Sequence, residues 1–134
     1  MGRAVGRAER GQALVELALT LPVLLLCAAL IVTLSLLGVA RLATENAASE
    51  GARTLALTND DGRARGAVQA AVAPLRLDRV HVVIEPSSPA DRPRGALVRV
   101  VVSYALALPF AFAGLESVSV EGSAARRMEY VEIP

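Results

Sequence analysis

The 134-residue chain predicts an α+β fold: a long N-terminal transmembrane helix extending into a small head with a second helix and about three antiparallel β-strands. Three observations carry this expectation. From Leu17 to Ala40, 24 residues pass without one charge. Residues 41–57 then continue without a strong helix breaker, and beyond residue 79 the apolar positions switch to a period of two. Hydrophobic residues make up 54% of the chain and mean hydropathy is +0.48, yet only 3% are aromatic. A soluble core of this size would carry more rings, so the apolar excess belongs to the charge-free run.

That run, LALTLPVLLLCAALIVTLSLLGVA, reaches about 36 Å as a helix, against a hydrocarbon core of about 30 Å. Thr20, Thr33 and Ser35 are tolerated because their hydroxyls can bond the carbonyl one turn back. Pro22 lies in the first turns, where its missing N–H costs least. Arg3, Arg7 and Arg10 precede the run, so the positive-inside rule keeps the N-terminus in the cytoplasm and exports residues 41–134. The expectation is a single-pass protein of the cytoplasmic (inner) membrane. Release of a secreted domain after Gly38-Val39-Ala40 is an alternative, but a cleaved signal has an apolar core of only about 7–15 residues. Leu26 before Cys27 lacks the small residue of a lipoprotein signal, and Cys27 reads as a small apolar residue facing lipid or another helix.

Charge narrows the function classes. Residues 1–16 hold three Arg and two Glu, and residues 41–134 hold eleven Arg and eleven acids, so the net +1 comes from the N-terminal stub. A balanced head gives no basic face with which to displace counterions from phosphates, which excludes nucleic acid as a partner. One Cys and one His supply neither a disulfide framework nor a multi-ligand metal site. His81 alternates with Val80 and Val82 as a solvent-facing strand residue, and no nucleophile–base set can be assembled around it. Asp60-Asp61 lack the spacing of a calcium loop and suit a helix cap. No catalytic residue, metal or cofactor is expected.

The stretch Arg10-Gly11-Gln12-Ala13-Leu14-Val15-Glu16-Leu17 places a lone carboxylate at the mouth of the apolar helix. Two readings are open. Glu16 reaches headgroup water or pairs with Arg10, or it meets a positive charge supplied by a partner. Gly followed by Glu at the fifth position of the following segment resembles the type IV pilin-like signal. That resemblance implies cleavage between Gly11 and Gln12 by a prepilin peptidase, with Glu16 setting helix register against a neighbour's new N-terminus.

The continuation is more specific. RGQALVELALTLPVLLL, followed by RLATENAASEGARTLA, resembles the TadE/TadG-like proteins of tight-adherence (Flp) pilus systems. The matching residues are Arg10, Gly11, Ala13, Val15, Glu16, Ala18, Leu19 and Pro22, then Asn46, Ala47, Ala48, Glu50, Gly51, Ala52 and Arg53. Gln12 stands where typical pilins carry Phe. The resemblance implies a minor pilin or pseudopilin: a membrane protein whose partners are other pilin or pseudopilin subunits, assembly-platform proteins and a prepilin peptidase. Its expected parts are a basic leader (1–11), the helix and its extension (12–57) and the head (58–134). A membrane-tethered binding module of the cell envelope is the alternative.

Within 41–57, Ala43, Ala47, Gly51 and Leu55 form a small-residue ridge, either docking the chain's own head or meeting another subunit. Glu50 and Arg53 are three apart and can pair at the surface. Thr58 to Gly62 breaks the helix, and Val68, Ala71, Val72 and Leu75 mark a second helix ended by Pro74. Strands are expected at Arg79–Glu85, Ala96–Leu108 and Ser117–Gly122, with Gly122 a bulge. The link PFAFAGLE either packs on the head or rests on the membrane surface.

Overall fold

A computed structural model of the chain describes residues 2–112 and 114–130, with side chains from 11 to 109 and from 116 to 130. Helix α1 runs from Gly2 to Thr58 without interruption at Pro22. The hydroxyls of Thr20, Thr33 and Ser35 donate to the carbonyls of Glu16, Ala29 and Ile31 at 2.9, 2.8 and 2.8 Å, so none is left unpaired in the apolar stretch. The helix stops at Asn59, whose φ of 48° is left-handed and whose N–H donates to the Leu55 carbonyl at 2.8 Å. Asp60 then caps α2 (Asp61–Ala71), accepting the Arg63 N–H at 3.1 Å.

The chain divides into two compact units, Met1–Ser35 and Leu36–Pro134. In the second, strands β1 (Val80–Glu85), β2 (Leu97–Phe112) and β3 (Leu115–Arg127) form an antiparallel sheet in the order β1-β2-β3. Val98, Val100, Val102, Tyr104 and Leu106 of β2 are buried on one face, while Arg99 and Ala105 face solvent, as the alternation predicts. Across that face lie Leu55 and the small residues of α1, with Ala64, Val68 and Val72 of α2 completing the core. A second cluster joins Ala40, Tyr104, Leu106 and Val120. The Arg65 guanidinium donates to the Val82 carbonyl at 3.0 Å and so covers part of the β1 edge.

Two expectations need correction. β3 extends to Arg127 rather than stopping at Gly122, because beyond Gly122 its inward-facing positions are Ala124 and Arg126, which carry little hydrophobic signal. Gly122 is not a bulge: it stands opposite Val102 in an unbroken register. The irregularity lies instead between Ala107 and Phe112, beside Pro109, which cannot donate to the ladder. The backbone of the PFAFAGLE link is shared by β2 and β3, with Gly114 turning at a φ of 81°. Where its Phe110 and Phe112 rings pack lies outside the described side chains.

Gly51 and Gly122 are the points of closest approach. A Cβ on Gly122 would sit 2.5 Å from the Thr44 carbonyl carbon and the Glu45 nitrogen of α1. One on Gly51 would sit 2.5 Å from Val68 Cγ2 and 3.2 Å from Val100 Cγ1. The helix therefore lies on the sheet and on α2 at a separation only hydrogen side chains permit. The loop after β1 is tied down by Arg92, whose side chain is fully buried. Its guanidinium pairs with Asp61 and its Nε donates to the Pro86 carbonyl at 2.7 Å.

Gly122→Ala is expected to cost more than Gly51→Ala within an overpacking range of about 1–3 kcal/mol, because backbone cannot yield as a valine methyl can. Gly38→Ala and Gly66→Ala, at helical positions with open space around them, should instead be neutral or stabilising by about 0.5–1 kcal/mol. Asp61→Ala strands the Arg92 guanidinium and should cost about 2–3 kcal/mol, against about 1 kcal/mol for loss of the Asp60 cap in Asp60→Ala. Thermal unfolding of the detergent-solubilised chain, followed by circular dichroism, would rank all six.

Candidate assembly site on the first helix

The sequence motifs fall on two stretches of α1, each in a different unit. In the first, the large apolar side chains from Leu14 to Leu34 all face outward, from 48% exposed at Val32 to 70% at Leu19. Three successive residues, Leu24, Leu25 and Leu26, are exposed together, so this is no one-sided amphipathic helix. A helix apolar all round is stable only in lipid or among other apolar helices. By length and composition α1 contains a stretch fit to cross a membrane.

Glu16 sits at the N-terminal edge of that stretch with its side chain exposed, and among the described residues it has no ionic partner. The pairing with Arg10 considered above lies outside the described side chains. Gln12 is exposed, and nothing lies within 4 Å of where a Cβ on Gly11 would be. Gly11, Gln12 and Glu16 are thus presented outward on one helix.

In the second unit, the residues around Gly51 split between two faces. Ala47, Ala48, Gly51 and Ala52 are buried, with Ala43 and Leu55 above and below them. The small-residue ridge therefore docks the chain's own head. Asn46, Glu50 and Arg53 are exposed, spaced so that they share the opposite side. The surface pair expected between Glu50 and Arg53 does not form; Arg41 and Glu45 pair instead at 2.7 Å. Thr44, buried at the start of the ridge, donates to the carbonyls of Ala40 and Arg41 at 3.0 and 2.9 Å.

Chemically this arrangement can associate but has no assembled reaction centre among the described residues. His81 is exposed on β1 opposite Ser103, and Cys27 is exposed in the apolar stretch. Among the described residues no group of three His, Cys, Asp or Glu could hold a metal ion. The contribution missed by sequence reasoning is Arg92, whose buried role has no signal in a Pro-rich loop.

Residues 11–53 match the family model of the TadE-like proteins, beginning at Gly11 and ending at Arg53. The match spans both stretches just described, in agreement with the TadE/TadG-like resemblance of the sequence. That family is structural and associated with Tad pili. No curated protein and no solved structure matches the chain.

Replacing Leu26 with Arg should reduce the membrane-integrated fraction, since a central charge adds about 2.5–3.5 kcal/mol to insertion. Glu16→Gln, at the edge of the stretch, should leave that fraction unchanged. Carbonate extraction of membranes measures both.

Proposed function

Proceeding from a TadE-like segment at residues 11–53, we propose that the chain is a minor pilin or pseudopilin. It is a membrane-anchored structural component that aids assembly of a tight-adherence, Flp-type, pilus. One observation carries the reading: Gly11 and Glu16 stand at pilin-like spacing at the mouth of an all-round apolar helix, inside the matched segment. In this account a prepilin peptidase removes residues 1–11 by cutting between Gly11 and Gln12. The open space around Gly11 supports access to that bond. Residues 12–57 anchor the protein, and residues 58–134 form the extracytoplasmic head, the N-terminus facing inward.

The mechanism is association without turnover. A carboxylate at membrane depth is costly when alone and favourable when matched, so Glu16 seeks a cation. The new amine of Gln12 on an adjacent subunit supplies one and fixes the axial register between helices. Other pilin or pseudopilin subunits and the assembly platform are the partners this reading requires.

The mature protein, isolated from membranes of cells that also express the prepilin peptidase, should have its N-terminus at Gln12 by mass spectrometry. Retention of residues 1–11 would contradict the reading. Glu16→Gln should lower incorporation into the assembled complex about tenfold, about 1.4 kcal/mol, because it leaves the neighbour's Gln12 amine without its counter-charge. Immunoblotting of purified pilus or platform fractions provides the measurement.

A further inference from the structure

The head covers one side of α1; on the opposite side Leu42, Asn46 and Glu50 are exposed, and at its far end Arg53 and Leu57 border a cleft shared with Arg126 and Glu129 of the head. Leu42, Asn46, Glu50, Arg53 and Leu57 recur at the spacing of a helix seam and point outward, with Ser49 half-buried at the seam's edge. Leu42 and Leu57 are 63% and 51% exposed, and between these apolar ends sit an acid and a base. Among the described residues neither Glu50 nor Arg53 is in an ion pair. We propose that this stripe is a lateral contact with a second copy of the same chain. The two copies pack parallel and displaced by three to four residues, so that Glu50 of one meets Arg53 of the next. The inference rests on the pilin reading above and names the subunit contact that reading leaves open.

Charge and direction select this geometry. Two copies in register would set Glu50 against Glu50 and Arg53 against Arg53, like against like. An antiparallel pair would match Glu50 to Arg53 twice, but would send the two charge-free runs in opposite directions, which one bilayer does not allow. A parallel displacement of about 4.5–6 Å brings unlike charges together. It also sets Asn46 of one copy level with Glu50 of the next, and Arg41 level with Glu45. The sense agrees with that of Gln12 and Glu16: a copy whose residue 12 is level with its neighbour's residue 16 has Glu50 level with Thr54, beside Arg53. Exposed ion pairs contribute little affinity, so Glu50 and Arg53 act on register, while Leu42 and Leu57 supply the buried area. A displaced contact is heterologous: in a pair, one copy keeps an unused Arg53 and the other an unused Glu50.

The test uses two differently tagged full-length copies coexpressed in membranes, both carrying Cys27→Ser. One carries Asn46→Cys and the other Ser49→Cys, which leaves Glu50 and Arg53 intact. On mild oxidation the 46–49 cross-link should exceed the 46–46 and 49–49 products several-fold. Adding Glu50→Arg to both copies should lower it several-fold, and adding Arg53→Glu as well should restore it. Predominance of the 46–46 or 49–49 product, absence of any cross-link, or insensitivity to charge reversal would overturn the proposal. An unprocessed N-terminus would defeat the pilin reading while leaving this cross-link in place; loss of the cross-link with processing at Gln12 would defeat this inference alone.

Discussion

The close seating of α1 on the sheet is the contact on which the second unit depends. Residues without bulk make it possible: Ala47, Ala48, Gly51 and Ala52 on the helix and Gly122 on β3, where helix backbone comes within 2.5 Å of an added Cβ. The long aliphatic side chains come from the other components, Val98, Val100 and Val102 from β2 and Val68 and Val72 from α2. Small faces large, and the core fills with few aromatic rings. The low aromatic content is thus compatible with a packed head as well as with an apolar anchor.

The same helix obeys two different rules along its length. Up to Leu34 its apolar side chains point in all directions, as suits a surrounding apolar medium. From Ala40 onward one face is buried and the other carries Asn46, Glu50 and Arg53. The TadE-like match covers both regimes and stops at Arg53, so it follows the helix rather than the head. The head contributes β-strands that hold one face of the helix and leave the other available.

Much of this was legible in sequence because it rests on local chemistry. The charge-free run, the Asp60 cap and the alternation of β2 each follow from neighbouring residue types. Glu16 stood out because a carboxylate beside an apolar helix is energetically conspicuous. What escaped depends on residues distant in sequence. Gly122 resembled a bulge because the helix backbone pressing on it lies far away in the chain, at Thr44. Arg92 resembled a solvated loop residue because its partner, Asp61, begins another helix. The NAASEGAR segment was visible as a motif, but which of its residues face the sheet is decided by packing alone.

Near Leu36–Ala40, then, α1 changes from an all-round apolar helix to a one-sided one, and both the docking of the head and the lateral contact depend on that change. Spin labels placed singly at successive positions from 17 to 57 of the full chain, in dilute lipid vesicles, test it directly. Accessibility to oxygen should be uniformly high through residues 17–36. Beyond residue 40 it should become periodic, with labels at 47, 48 and 55 occluded and labels at 42, 46, 50, 53 and 57 reached by a water-soluble relaxant; position 51, which has no room for a side chain, is left unlabelled. A helical period of protection already present between 17 and 36, or no occlusion at 47–55, would contradict the account.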